Sequence, residues 1–288
     1  MQIGIIGCGN MGGGMARQIL SAGHALSCYD PDDDKLDILS RLGATSTTSA
    51  GELAKGSQVI LLSLPRASVV EAVVQDMLPH IQPGTIILDT STSEPATSQS
   101  MARLGETQGF SFVDGPVSGG PAAAHAGTMT MLLGGTSIAI EALTPLLDII
   151  TTKTVIVGAA GAGHAAKIAN NMLCAANLVL VAEAVRLGEA AGVSPESLLE
   201  GINAGSGRSG VSEVNFPKWV LNQGFDSGFT MELMRKDVRL AIDLAESSKV
   251  QLGGFAPIAD IWLNQSGAIP DNADFNEIVK YHNGDNNV

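Results

Sequence analysis

The chain has 288 residues, of which 45% are hydrophobic and 16% charged, a composition typical of a folded protein and not of a disordered one. Its formal net charge is −13 and it has no run of Lys or Arg, which excludes the basic surface of a nucleic-acid-binding protein. No apolar stretch reaches the ~20 residues that a membrane span requires, so we expect a soluble protein without a membrane partner.

The three cysteines, Cys8, Cys28 and Cys174, are isolated in the sequence. They form no CxxC pair and have no zinc-type spacing with histidine, so we expect reduced thiols and no metal site. No charged leader with an apolar signal segment precedes the first strand-like run. These features predict a cytoplasmic protein.

Short strand-like segments alternate with helical patterns through residue 160. They are four to seven residues long and almost entirely apolar, as in strands covered on both faces of a parallel sheet. These segments are residues 2–6, 25–29, 58–64, 85–88, 110–113, 129–133 and 154–157. Helical patterns between them include residues 12–22, 35–42 and 68–78. The alternation predicts a doubly wound α/β sheet, and we assign residues 1–162 to a Rossmann domain.

The pattern changes after Gly158. Residues 164–191 contain no proline and one glycine, Gly188, which predicts a helix much longer than a Rossmann crossover. Ser194 and Pro195 are typical of a helix start, and further helical patterns cover residues 194–202, 231–247 and 255–266. With no strand pattern in this half, we assign residues 163–288 to an all-helical domain, in which residues 283–288 have the composition of a loose tail.

A glycine-rich fingerprint follows the first predicted strand directly. In a dinucleotide-binding fold the first glycine makes the tight turn, the second lets the backbone approach the diphosphate, and the third allows close packing of helix on strand. The free amides and positive end of the helix then bind the diphosphate. A GxGxxG motif alone can be an ordinary turn, but here it stands between a strand and a helix. We predict cofactor contacts from Gly7, Cys8, Gly9, Asn10, Met11 and Gly12.

Asp30 closes the second predicted strand, 18 residues after Gly12. A carboxylate there accepts hydrogen bonds from the adenine ribose hydroxyls of NAD and repels the 2′-phosphate of NADP. We expect the nearest base, Lys35, to point into the following helix, where it would not offset this charge. The sequence therefore predicts NAD as the cofactor.

Three further motifs are DGPVSGG at residues 114–120, GHAAKIANN at residues 163–171 and KDVRLA at residues 236–241. Together with the fingerprint they span nearly the whole chain. In this order and spacing the set resembles the β-hydroxyacid dehydrogenases, the family of 3-hydroxyisobutyrate, tartronate semialdehyde and related 3-hydroxy acid enzymes. The resemblance implies hydride transfer between NAD and a small carboxylate substrate.

Ser118, Gly119 and Gly120 follow a predicted strand end, where ligands bind in open α/β sheets. The glycines expose backbone amides that, with the serine hydroxyl, suit a carboxylate, although an ordinary glycine-rich turn would look the same. The resemblance implies that these three residues bind the substrate carboxylate.

The long predicted helix places Gly163, Lys167, Asn170, Asn171 and Cys174 on one face. A lysine among apolar neighbours is seldom buried without a partner, and the alternative is a side chain that extends to solvent. The resemblance implies that Lys167 is the general base in oxidation and the general acid in reduction. It also implies that Asn171 orients Lys167 and that Asn170 contacts the substrate.

The resemblance further implies cofactor contacts from Leu64, Pro65, Thr92 and Lys236. Arg66 is either surface charge or a group that selects a second anionic group on the substrate. His164 adjoins a motif without occupying a catalytic position, and we interpret it as structural.

Three functions are compatible with these motifs. The first is an NAD-dependent dehydrogenase of a 3-hydroxyisobutyrate-like acid. The second is a reductase of another small aldehyde acid, of the tartronate semialdehyde or sulfolactaldehyde type; imine reductases usually lack the catalytic lysine, so Lys167 argues against them. The third is a catalytically silent NAD-binding module.

The long helix is apolar around most of its circumference, so most of it must be buried. The resemblance implies dimerisation through this helix and the helices after it. We therefore predict a homodimer or homotetramer whose interface is formed mainly by residues after Gly163.

Overall fold

A computed structural model describes residues 1–281 of the chain. The chain divides into two compact units, of which the first is Met1–Lys167 and the second begins at Ile168. The domain division predicted at residues 162 and 163 stays a prediction, and the predicted tail at residues 283–288 lies outside the described residues.

The first unit contains one nine-stranded sheet with helices in the connections. Its strands are β1 (Ile3–Ile6), β2 (Leu26–Tyr29), β3 (Thr45–Ser46), β4 (Val59–Leu62), β5 (Ile86–Asp89), β6 (Ser111–Asp114), β7 (Val117–Ser118), β8 (Met129–Gly134) and β9 (Thr151–Gly158). Its helices are α1 (Asn10–Ser21), α2 (Asp33–Ser40), α3 (Ala50–Lys55), α4 (Ala67–Met77), α5 (Pro95–Gln108), α6 (Gly120–Ala126) and α7 (Ser137–Ile150).

Six strands are parallel and lie in the order β3-β2-β1-β4-β5-β6. β8 is antiparallel to β6, and it pairs with β7 antiparallel and with β9 parallel. The order reverses between β1 and β4, and in open α/β sheets ligands bind beyond the carboxyl ends of the strands at such a point. The predicted doubly wound α/β sheet is confirmed.

The central strands are buried because their apolar side chains project from both faces of the sheet into packed cores. On β4, Leu61 packs into the core that contains Met15 of α1, whereas Ile60 and Leu62 pack into the core that contains Val74 of α4. Alternate residues of a strand point to opposite faces, so a continuous apolar run supplies two cores at once. This explains the nearly unbroken apolar runs of the sequence.

The second unit is helical. The long helix α8 (Ala162–Ala190) begins in the first unit and continues into the second. It is followed by α9 (Pro195–Ala204), a π-helix (Val211–Val220), α10 (Met231–Ser247), α11 (Ala256–Asp260) with a π-helical turn (Ile261–Gln265), and a 3₁₀ helix (Phe275–Lys280). The residues described from 168 to 281 form no strand, only an isolated bridge between Thr230 and Asp274. Ser194 caps α9 by accepting a hydrogen bond from the Ser197 amide, as predicted.

Helix α8 is long and apolar enough to cross a membrane by length and composition alone, with a mean hydropathy of 1.5 in its most apolar stretch. Asn, Glu and Arg side chains interrupt the helix, which is why the sequence led us to expect no such segment. Of that stretch, 44% is buried within the protein. Ala175 and Leu178 of α8 lie in the same core as Trp262, whose indole N–H donates to the Ala175 carbonyl at 3.2 Å. A core helix of a soluble protein meets the same length and composition criterion.

Candidate active site

The glycine fingerprint forms the turn between β1 and α1. Gly7 has a φ of +90°, and a Cβ there would lie 2.2 Å from the Ser63 carbonyl oxygen. A Cβ on Gly12 would lie 1.9 Å from the Gly7 carbonyl oxygen, so only glycine lets α1 pack this closely on the turn. A Cβ on Gly9, by contrast, would meet nothing within 4 Å. The turn is therefore tight where helix meets strand and open at the glycine beside which a diphosphate could bind.

Helix α1 begins at Asn10, two residues earlier than predicted, because Gly9 already adopts the extended N-cap conformation. Asn10 and Met11 consequently belong to the first turn of the helix. The first amides of a helix have no partner within it, so this turn offers donors to an anion.

Asp30 lies directly after β2, and its carboxylate is buried beside the fingerprint. Its Oδ2 accepts a hydrogen bond from the Cys8 amide at 2.7 Å, and its Oδ1 accepts one from the Asp32 amide at 3.0 Å. These two bonds fix the carboxylate next to the β1–α1 turn. That is where a dinucleotide fold uses an acid to bind the ribose.

Cys8 takes part through its backbone, because its thiol belongs to the core. The neighbouring Cys28 thiol and burial both raise the pKa of the Cys8 thiol, which is therefore protonated at neutral pH. The amide of Cys8 holds Asp30, so a direct contact of its side chain with the cofactor is not needed for the predicted site.

The expectation that Lys35 points away from Asp30 is wrong. Lys35 Nζ lies 3.6 Å from Asp30 Oδ1 and 3.3 Å from Asp32 Oδ2. The hydrogen bond to Asp32 and the charge of Asp30 raise the pKa of Lys35. Lys35 is in the first turn of α2, so its flexible side chain reaches back over the N-cap residue Asp32. A cation therefore stands beside the acid predicted to select NAD.

The loops after β4 and β5 are joined by a hydrogen bond. The Leu64 amide donates to Ser91 Oγ at 3.0 Å, and the Ser91 amide donates to Asp89 Oδ1, also at 3.0 Å. Pro65 and Thr92 are the next residues along the two loops. The structure thus brings together the two segments that were predicted to contact the cofactor, through a serine that sequence reasoning missed.

Lys167 of α8 and Ser118 at the end of β7 contact each other. Lys167 Nζ donates a hydrogen bond to Ser118 Oγ at 3.0 Å, and Lys167 is only 8% exposed. β7 pairs with β8, which fixes Ser118 opposite Thr130. The structure therefore joins two motifs that are 49 residues apart in the sequence.

The two glycines after Ser118 begin a short helix and do not form an isolated turn. Gly119 is the N-cap of α6 and has a φ of +122°, and Gly120 is the first residue of α6. Helix α6 packs on α1 so closely that a Cβ on Gly14 would lie 2.9 Å from the Ala124 Cβ. The Ser-Gly-Gly segment is thereby held against the helix that follows the dinucleotide fingerprint.

A buried polar network lies at the start of α8. Asp114, the last residue of β6, accepts hydrogen bonds from the amides of Gly161 at 2.6 Å and His164 at 2.9 Å. The His164 ring lies 2.8 Å from Ser98 Oγ through Nδ1 and 3.0 Å from the Ser91 carbonyl oxygen through Nε2. Burial raises the pKa of the Asp114 carboxyl, whereas the electrostatic interaction with His164 and the hydrogen bonds from the two amides oppose that shift. An Asp and a His inside otherwise apolar segments were the available sequence signal for this network.

In the second unit, Asp237 connects two predicted site residues. Its Oδ2 accepts a hydrogen bond from Asn171 Nδ2 at 2.6 Å, and its Oδ1 lies 3.6 Å from Lys236 Nζ. Asn171 Oδ1 in turn accepts from Asn170 Nδ2 at 3.0 Å. Asp237 was missed in the sequence, although it stands directly after Lys236 in the third motif.

Arg235 holds α10, which carries Lys236 and Asp237. Its buried guanidinium donates to the backbone carbonyls of Trp262 at 3.0 Å, Ser266 at 2.8 Å and Ile269 at 3.0 Å, and it pairs with Asp271. These bonds satisfy a buried charge and fix the orientation of the helix within the second unit.

A nicotinamide dinucleotide fits the residues of the first unit, because they provide an open fingerprint turn and a fixed carboxylate after β2. Among residues 1–281, no group of three or more His, Cys, Asp or Glu side chains could hold a metal ion.

Two family models match the chain. The model of the NAD-binding domain of 6-phosphogluconate dehydrogenase matches residues 2–158, and the NAD-binding model of NADP-dependent 3-hydroxyisobutyrate dehydrogenase matches residues 161–282. Together they cover both units.

Curated relatives and a solved structure agree with these models. The chain is 35% identical to 2-(hydroxymethyl)glutarate dehydrogenase of Eubacterium barkeri, over 88% of this chain and 85% of the relative. It is also 35% identical to the NAD-dependent L-serine dehydrogenase of Pseudomonas aeruginosa, over 86% of each. The structure of 3-hydroxyisobutyrate dehydrogenase of Mycobacterium tuberculosis with L-serine matches with a TM-score of 0.90 and 31% identity, over 97% of this chain and 98% of that one. The chain therefore belongs to the β-hydroxyacid dehydrogenase family and shares its NAD-binding fold.

Proposed function

We propose that the chain interconverts a small 3-hydroxy acid, of the 3-hydroxyisobutyrate type, and its semialdehyde, with Lys167 as the acid and base. The observation that carries this proposal is the 3.0 Å hydrogen bond from Lys167 Nζ to Ser118 Oγ. It places a buried amine beside a Ser-Gly-Gly segment suited to a carboxylate. The chain is an NAD-dependent dehydrogenase by family, so the proposal concerns its substrate and the residues that act on it.

The names of the relatives support this substrate class. 3-Hydroxyisobutyrate, L-serine and 2-(hydroxymethyl)glutarate all carry a hydroxymethyl group on the carbon next to a carboxylate. Only the third substituent of that carbon differs, being methyl, amino or carboxyethyl. We propose that this chain recognises the shared hydroxymethyl carboxylate and accommodates one such substituent.

Bound NAD would supply the hydride acceptor for oxidation of the carbinol carbon. Lys167 Nζ, as a free amine, would donate one N–H to Ser118 and keep its lone pair for the hydroxyl proton. In reduction the ammonium would return the proton to the substrate oxygen. The amides of Gly119 and Gly120 would bind the substrate carboxylate.

We propose for Asn171, Asn170 and Lys236 the roles that the family resemblance implies. Asn171 would orient Lys167, Asn170 would contact the substrate, and Lys236 would contact the cofactor. Asp237 would support two of these roles, because its carboxylate accepts a hydrogen bond from the Asn171 side-chain amide and pairs with the Lys236 ammonium. Leu64, Pro65 and Thr92 would contact the cofactor through the joined loops after β4 and β5.

A substrate with a second anionic group, such as a dicarboxylate, is the alternative. The observation in its favour is Arg66, an exposed cation at the N-cap of α4, directly after Pro65. The second carboxylate in the name of the Eubacterium barkeri relative's substrate points in the same direction.

We also propose that the protein is cytoplasmic and assembles as a homodimer or homotetramer through its second unit. Three leucines of α8, spaced seven residues apart, lie on one face and are exposed: Leu173 at 57%, Leu180 at 50% and Leu187 at 74%. A seven-residue repeat of exposed leucine is typical of a helix that packs against another helix. A second copy of this chain would cover that stripe.

The role of Lys167 predicts the effect of its removal. Lys167→Ala should lower kcat by about 10²–10⁴-fold, because a positioned acid–base group is lost, while NADH still binds, as measured by fluorescence titration. Lys153→Ala is the matched control, since Lys153 is an exposed lysine of β9 and should keep wild-type kcat. Retention of more than a few per cent of wild-type kcat in Lys167→Ala would contradict the mechanism.

Charge beside the adenine ribose predicts cofactor choice. The wild type should have a higher kcat/KM with NAD than with NADP, and Asp30→Ala should narrow this preference, mainly by lowering KM for NADP. Lys35→Met should widen it, because the cation 3.6 Å from Asp30 is removed. Equal use of both cofactors by the wild type would refute the assignment to Asp30, and a shift in the same direction for both variants would refute the role given to Lys35.

The leucine stripe predicts which surface mutations dissociate the protein. Light scattering at micromolar concentration should give the wild type a dimer or tetramer mass, and Leu180→Glu should lower it. Ile138→Glu is the control, because Ile138 of α7 is 84% exposed in the first unit and should leave the mass unchanged. A monomeric wild type would overturn the proposed assembly, and loss of mass in both variants would rule out the second unit as the main interface.

A further inference from the structure

His164 lies at the centre of a buried network that the proposed mechanism does not use. The side chains of His164, Asp114 and Ser98 are completely buried. A carbonyl oxygen can only accept, so the 3.0 Å contact to Ser91 means that His164 Nε2 carries a proton and donates it. Asp89 Oδ2 lies 4.0 Å from the same nitrogen and has no hydrogen-bond partner among residues 1–281.

This network connects the loops predicted to hold the cofactor with the helix that carries Lys167. The Leu64 amide donates to Ser91 Oγ, and the Ser91 carbonyl accepts from His164. The His164 amide in turn donates to Asp114, the last residue of β6. The loop after β4, the loop after β5, the end of β6 and the start of α8 are therefore joined through one imidazole and its backbone.

His164 is close enough to Lys167 to set its position. Three residues along an α-helix correspond to about 4.5 Å of rise, less than one turn. The start of α8 also has no free space: a Cβ on Gly163 would lie 2.4 Å from the Leu132 carbonyl oxygen and 2.8 Å from Asp114 Oδ2. A shift of the His164 ring would therefore displace the start of the helix, because no cavity there can accommodate the movement.

We infer that His164 is a positioning residue, which holds the Lys167 amine in register with the cofactor-binding loops through Ser91 and Asp114. The inference rests on the proposed role of Lys167. A misplacement of about 1 Å at a reacting group can cost about 10²-fold in rate, so the network matters for catalysis as well as for stability.

The test compares two substitutions of His164 with a matched core variant. His164→Leu removes both ring nitrogens at similar volume, and His164→Gln keeps one N–H donor for the Ser91 carbonyl. Leu143→Ala, a buried residue of α7 outside the network, controls for lost stability. At a temperature well below unfolding, His164→Leu should lower kcat by about 10- to 100-fold and shift the pH profile of kcat, with NADH affinity within about threefold of wild type. His164→Gln should recover most of kcat, and Leu143→Ala should keep both kcat and the pH profile.

A second readout does not depend on turnover. The rate at which acetic anhydride labels Lys167 across pH, measured by mass spectrometry relative to Lys153, reports the surroundings of the amine. It should change severalfold in His164→Leu, return in His164→Gln and stay as wild type in Leu143→Ala. If His164→Leu does not fold, Gly163→Ala perturbs the same helix start, and Gly201→Ala is its control because a Cβ there meets nothing within 4 Å.

The outcomes separate the two proposals. Unchanged Lys167 labelling and an unchanged pH profile in His164→Leu, with a loss of thermal midpoint like that of Leu143→Ala, would overturn the positioning role. Full activity of Lys167→Ala would instead overturn the proposed function, while the labelling still decides whether His164 positions the amine.

Discussion

A buried amine needs a partner, and the hydrogen bond from Lys167 to Ser118 provides one for this chain. The bond brings the start of α8 to the end of β7 and thereby fixes where an acid–base group stands relative to the sheet. Around it, glycines let elements approach where any side chain would collide, at Gly12 on the turn after β1 and at Gly163 on the end of β8. Close packing at these points ties the dinucleotide turn, the Ser-Gly-Gly segment and the lysine to a single rigid sheet.

The charges around Asp30 are not all negative, although several acids lie next to it in the sequence. Asp30 is held by two backbone amides, yet Lys35 stands beside it because a lysine in the first helical turn can reach back over the N-cap. A similar pairing of a carboxylate with a lysine occurs in the second unit, where Asp237 accepts a hydrogen bond from Asn171 and lies beside Lys236. In both cases a carboxylate is oriented by hydrogen-bond donors from its own neighbourhood and lies 3.6 Å from a lysine Nζ.

Much of the fold could be predicted because its strands are central and apolar. β1 and β4 are buried on both faces, so their composition is distinctive, and the long helix has no proline and only one glycine beyond its first turn. β3 and β7 were not predicted, since a two-residue strand has no periodicity and forms only through its neighbour. The same limit applies to the site. Motif spacing led to Lys167 and Ser118, but the direction of Lys35 and the connections through Ser91, Asp237 and His164 depend on tertiary contacts that no local pattern encodes.

The central claim is that this site oxidises a hydroxymethyl group next to a carboxylate. The direct measurement is NADH formation at 340 nm with 3-hydroxyisobutyrate, L-serine and 2-(hydroxymethyl)glutarate, compared with lactate and with 2-methylpropan-1-ol. The first three share a hydroxymethyl group next to a carboxylate. Lactate carries its hydroxyl on the carbon next to the carboxylate instead, and the alcohol lacks the carboxylate. We expect turnover with at least one of the three acids and none with either control. Comparable turnover of the alcohol, or no turnover of any hydroxymethyl carboxylate with either NAD or NADP, would contradict the account.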